Sequence, residues 1–312
     1  MLTHACASDE DLGLGRGAIV SFPHTALAYA GPLQARVVAA LYRSGVERVI
    51  ALGVLHSLHS TAYRNALDVA LANGARCSAF AEVAGGWLPP GDAIETPYGD
   101  LPAVAASEDV RVPVRVDHSG VLADEFSLDT FCALLRRAAD LQGVRALSVL
   151  RVFVGPTRDP IDGSFAVAER LAGWIRTKVG EAGRSAAIVT TGDLVHYGTA
   201  YGTPDADPSE PLAEMTCRFR HRVEQALEAA LTERDWAAAY RQSSDVLHND
   251  QREILAVVSA LLGRTRARIE QFGLSDYAAI LGATAPCRVA SALVVYERED
   301  AEIDGRRPGA TD

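Results

Sequence analysis

The chain has 312 residues, 48% of them hydrophobic, enough to bury a large core and to exclude global disorder. Its formal net charge of −10 excludes the basic footprint of a general nucleic-acid binder and otherwise names no partner. Five cysteines (Cys6, Cys77, Cys132, Cys217, Cys287) lie far apart and form no C-x-x-C pair, which argues against a disulfide scaffold or a structural zinc site.

The opening MLTHACASDEDLGLGRG is polar and acidic, unlike a signal peptide, and no apolar run is long enough to span a bilayer. A soluble, cytoplasmic protein without membrane or nucleic-acid partners is the expectation. GAIVSF (17–22) is a continuous apolar run, as in a strand covered on both faces. GPLQARVVAALYRSG (31–45) reads as a helix, with Pro32 in its first turn and Gly45 as its stop. ERVIALGV (47–54) is a second buried strand, and CSAFAEV (77–83) is read as a third. A helix over 127–141, a strand over 146–155, a helix over 165–180 and the strand SAAIVTT (185–191) follow. Helical patterns then occupy 210–231, 234–243 and 250–263, and strands over 267–273 and 288–297 close the core. This alternation predicts a single α/β domain over 15–298, with a mostly parallel or mixed sheet and helices on both faces. Segments 1–14 and 299–312 are expected to be flexible tails.

Three of the eight histidines share one kind of position. His24 follows the first strand, His56 the second, and His196 follows SAAIVTT within TTGDLVHYG. In open α/β sheets ligands bind beyond the carboxyl ends of the strands, so parallel neighbours would aim all three imidazoles into one crevice. A single loop histidine is more often solvated than ligating, and His4, His59, His118 and His221 are read in that plain way.

VLHNDQREIL (246–255) brings His248, Asp250 and Glu253 into one turn at a helix start. Asp250 as N-cap with Glu253 three residues on would form a capping box and need no ligand. Alternatively one of these carboxylates joins His24 and His56. Two histidines and one carboxylate on one face of an ion form the triad of non-heme iron(II) oxygenases.

Taken together, FPHTALAYAGPLQA, ALGVLHSLHS, ETPYGDLP, DEFSLD and TGDLVHYG, in this order, resemble the motifs of the Memo family. That family shares the fold of the class III extradiol ring-cleavage dioxygenases, and the resemblance covers most of residues 17–297. It implies that His24 and His56 are metal ligands and that Asp193 and His196 are the pocket pair, His196 moving protons and Asp193 orienting it. Phe126 stands where the family has a histidine, which predicts a more apolar pocket, and HNDQRE lacks the cysteine that faces the metal in Memo. The dioxygenases carry Glu-Ile at the start of this helix, matched here by Glu253 and Ile254, so Glu253 is the expected third ligand, ahead of Asp250 and His248.

The resemblance thus implies an iron(II)-dependent oxygenase acting on a small aromatic, catechol-like or otherwise chelating substrate, with no organic cofactor. Two other readings stand beside it. One is a non-oxygenase Memo-type metal-binding protein, the B component of the bacterial AmmeMemoRadiSam system, working with a radical-SAM partner or as a homo-oligomer. The other is a zinc hydrolase built on the same histidines. No G-x-S-x-G, H-E-x-x-H or phosphate-binding glycine loop is present.

Overall fold

The computed structural model describes residues 1–7, 9–56, 76–105, 113–203, 207 and 209–299. Its strands in chain order are β1 (Ile19–Phe22), β2 (Arg48–Val54), β3 (Gly86–Leu88), β4 (Ala93–Ile94), β5 (Leu101–Pro102) and β6 (Val114–Val116). Then come β7 (Ser148–Val154), β8 (Ala186–Thr191), β9 (His196–Gly198), β10 (Thr265–Asp276) and β11 (Cys287–Arg298). Nine of them form one mixed sheet in the order β10-β11-β1-β8-β2-β7-β3-β6, with β9 paired to β11, and β4 and β5 form a separate hairpin. Strands β1, β8, β2 and β7 run parallel, while β10 and β11 close one side antiparallel.

Alternate residues of the central strands feed two cores, which is why these strands read as unbroken apolar runs. Ile50, Leu52 and Val54 of β2 and Leu150, Val152 and Val154 of β7 enter one core. There they meet Leu171 and Ile175 of one helix and Ile254 and Val258 of another. Val49 and Ala51 of β2, with Val149 and Phe153 of β7, enter the other core beside Leu33, Val37 and Leu41 and Phe131 and Leu135. The flanking helices are α1 (Leu2–Cys6), α2 (Leu27–Arg43), α3 (Arg76–Val83), α4 (Asp129–Gln142) and α5 (Ala166–Ala182). They continue with α6 (Leu212–Leu227), α7 (Trp236–Arg241), α8 (Ile254–Leu262) and α9 (Ala278–Leu281). None of the helices among the described residues is long and apolar enough to cross a membrane.

Four expectations change. Segment 77–83 belongs to helix α3, not to a strand; its alanines and glutamate favour helix and only Val83 is β-branched. Helix α2 begins at Leu27, so Pro32 lies inside it, where the missing N–H forfeits one helical hydrogen bond. The helical patterns at 210–231 and 234–243 end in π-helical turns, Glu228–Glu233 and Gln242–Leu247. The opening segment is no loose tail, for Leu2, Ala5, Leu12 and Leu14 are buried in the core that holds α2. His59 and residues 300–312 lie outside the described residues.

Candidate metal centre

Strand β8 lies between β1 and β2, so the segments following three parallel neighbours converge. His24 comes two residues after β1, His56 two after β2, and Asp193 two after β8, with His196 opening β9. The rings of His24 and His56 meet edge to face, 4.9 Å apart. Gly192 makes the turn out of β8 possible. Its φ is +156°, and a Cβ there would lie 2.4 Å from Cγ of Gln251.

Each imidazole is oriented through Nδ1. The Thr191 hydroxyl donates to Phe22 O at 3.0 Å and so accepts from His24 Nδ1–H at 3.3 Å. His56 Nδ1–H donates to Glu125 Oε1 at 3.0 Å, and His196 Nδ1–H to the His248 carbonyl at 2.8 Å. With the proton on Nδ1, each Nε2 is left with a lone pair, the form in which histidine binds a metal. All three Nε2 atoms surround Asp250 Oδ2, at 3.3 Å for His24, 4.0 Å for His56 and 3.8 Å for His196.

Asp250 is delivered by a short 3-10 turn over Asp250–Glu253. Its N-cap is Asn249, whose side chain accepts from Gln251 N at 2.7 Å, so the expectation that Asp250 caps this turn is corrected. Buried Gln251 pins the turn to the strand ends: its amide donates to Ser21 Oγ and to Gly192 O, and its Oε1 accepts from Tyr296 OH at 3.1 Å. The Asp250 N–H donates to Asp193 O at 3.1 Å. Asp250 Oδ2 itself is buried and accepts no hydrogen bond. A buried carboxylate oxygen without a donor costs free energy unless a cation faces it, and three lone-pair nitrogens around it supply the rest of a cation's shell.

Glu253, the expected third ligand, points elsewhere. Its Oε2 accepts from Thr157 N at 2.7 Å and Thr157 Oγ1 at 2.9 Å, and its Oε1 accepts from Tyr240 OH at 2.8 Å. Three donors saturate that carboxylate and make it a strut between the loop after β7 and α7. His248 acts through its backbone: it ends the π-turn at φ +48°, uncommon for a residue with a Cβ, and its carbonyl accepts from His196 Nδ1–H. This carbonyl, and not the expected Asp193, whose Oδ2 lies 4.0 Å from Nε2, orients His196.

Electrostatics separate the two carboxylates beside the histidines. Burial, and then the charge of Asp250, push Asp193 well above the usual carboxylate range. Burial works against the Asp250 charge too, and the positive charge of His196, His24 and His56 in their protonated forms, or of a cation in their place, is what lowers this carboxyl. Burial lowers the pKa of His24, against the pull of Asp250. Burial opposes the charge on His56 as well, yet Glu125 and Asp250 outweigh it and raise its pKa. Glu125 is lowered in turn; burial would raise it, but His56 and the backbone N–H groups of Ser127 and His56 prevail.

Two groups of side chains, His24, His56 and Asp250, and Asp193, His196 and Asp250, bring their ligand atoms within 4.8 Å of one another and could hold a metal ion. They form the floor of a cavity of about 850 Å³. Phe126 lies flat on the His56 ring at 4.7 Å and 13° and forms an aromatic wall. Tyr277, Ile280 and Val289 add apolar lining, and His248 and Arg252 add polar lining. None of the described cysteines lines it.

Sequence reasoning singled out His24, His56, Asp193 and His196, and the fold brings all four together. It missed Glu125, Thr191 and Gln251, the residues that aim the others. Glu125 stands in the DEFSLD motif, but its partner His56 is 69 residues away, and nothing local betrays the pair. Compared with known protein families and with curated proteins, the chain matches none.

Proposed function

We propose that the protein is a metal-dependent oxygenase of the class III extradiol dioxygenase type, holding iron(II) with His24, His56 and Asp250 and acting on an aromatic diol. The observation that carries this reading is Asp250 Oδ2, buried without a hydrogen bond and ringed by three imidazole Nε2 atoms at the floor of an open cavity. Two imidazoles and one carboxylate are the donor set of non-heme iron oxygenases, and here all three line the cavity. Held by His24, His56 and Asp250, iron(II) would supply the redox chemistry that joins dioxygen to the diol.

The chain's own groups do the rest. His196 presents Nε2 to the cavity with its ring fixed by the His248 carbonyl, so it takes a proton from the diol and returns one to the product. Asp193, whose protonated form is favoured by burial and by Asp250, keeps a second full negative charge away from the centre. The diol ring lies in the cavity beside the face of His56 and Phe126.

The test is iron analysis of protein purified without oxygen, followed by oxygen uptake with a panel of catechols. The expected outcome is about one iron per chain and catechol-dependent uptake. Stoichiometric zinc with no uptake would favour a hydrolase, and stoichiometric iron with no uptake would favour a binding protein. His196→Gln should keep iron and lose roughly 10²–10⁴-fold in turnover, because Gln hydrogen-bonds but does not titrate.

A further inference from the structure

The mouth of the cavity carries more apolar surface than a single catechol ring would use. Leu27, Phe126, Ile280 and Leu281 all line the cavity, and each leaves about half its surface exposed (52%, 52%, 53% and 52%). Scattered exposed hydrophobics need no explanation, but four converging on one opening mark a binding surface. They come from three separate places, the start of α2, the turn before α4 and the four-residue helix α9, so no single amphipathic element accounts for them. Behind them Tyr277 and Val289, both buried, continue the apolar wall inward toward the histidines. At about 850 Å³ the cavity is near the top of the roughly 300–1,000 Å³ range that holds drug-sized ligands, well beyond the need of one ring.

We propose that the cavity takes an arene diol carrying an apolar substituent about the size of a second ring. The diol faces Asp250 and the histidines, and the substituent lies between Phe126 and the Leu27–Ile280–Leu281 side of the mouth. The diol head rests on the oxygenase reading above; the apolar arm rests on the wall alone. The flat face of Phe126, stacked on His56, gives the arm an aromatic surface directly beside the chelating end.

Calorimetry on the anaerobic iron(II)-loaded protein, titrated with catechol and with 4-phenylcatechol, tests the arm. The phenyl-bearing probe should bind at least about tenfold more tightly, equivalent to about 1.4 kcal/mol. In the Ile280→Ser/Leu281→Ser variant that preference should fall to less than about threefold. These side chains are half exposed, so the fold should tolerate the change, and circular dichroism verifies it. Equal affinity of the two probes for the native protein, no binding of either, or a preference that survives in the variant would overturn the inference. So would sedimentation showing that the native chain is a dimer and the variant a monomer, because the mouth would then be a contact between copies. The oxygenase reading fails in a different way: both probes bind with the expected ratio and no oxygen is consumed.

Discussion

Asp250 and Glu253 open and close the same four-residue turn, yet their surroundings are opposites. Glu253 faces inward, and its two oxygens take hydrogen bonds from the Thr157 amide, the Thr157 hydroxyl and the Tyr240 phenol. Asp250 faces the strand ends, where its Oδ2 meets three imidazole nitrogens and accepts nothing. Both are buried, so burial does not tell a working carboxylate from a structural one. What does is whether the protein has already satisfied it.

Exchanging the two roles experimentally is the most direct way to break this contrast. Asp250→Ala should reduce metal affinity by more than about 100-fold, beyond the 10–100-fold typical of residues that only support a ligand, while the metal-free variant still unfolds cooperatively. Equilibrium dialysis against cobalt(II) and a urea melt measure both. Glu253→Ala should do the reverse. It strands the Thr157 N–H and the Tyr240 hydroxyl in the interior and should cost about 3 kcal/mol in the urea melt, with metal stoichiometry intact. If Glu253→Ala loses the metal instead, the contrast is wrong.

The next effects are smaller and sharpen it. Glu125→Gln places an amide NH₂ among four donors, His56 N and Nδ1, Phe126 N and Ser127 N, and should weaken metal binding about 10–100-fold by releasing the His56 ring. Acidification should weaken binding as well, because a metal at His56 Nε2 must displace a proton. With the His56 pKa raised above its ordinary value of 6.5, the loss should begin above that pH and reach about tenfold per unit below it. Titrations in buffers of different ionisation enthalpy count the protons released. Smallest of all, Asn249→Ala should cost about 1 kcal/mol of stability and leave the metal in place, since Asn249 and not Asp250 caps the turn.

How much of this was legible in the sequence follows from the kind of interaction each residue makes. Buried parallel strands declare themselves as unbroken apolar runs, so the ends of β1, β2 and β8, and with them His24, His56 and His196, could be placed in one crevice from pattern alone. The turn at 249–253 could not be resolved that way. Asn249 and Asp250 are both good N-caps, and moving the cap by one residue decides which carboxylate turns toward the strands. The 3-10 geometry adds to the ambiguity, because its tighter winding changes the direction of the third residue on. The helix over Arg76–Val83 was misread because a short apolar stretch has no period long enough to separate strand from helix.

The candidate ligands, Asp250 among them, come from four stretches of chain, at 24, 56, 193–196 and 250, that share no local structure. An unfolded or half-folded chain therefore offers no pre-assembled chelate, and occupancy is tied to completion of the whole sheet. By mass action, a ligand present at about 100 times its dissociation constant adds about 2.7 kcal/mol to the folded state alone. For this protein the ion would act as a late staple. It would tie the first strand of the sheet to a turn more than two hundred residues downstream, and its supply would set how long the finished chain persists.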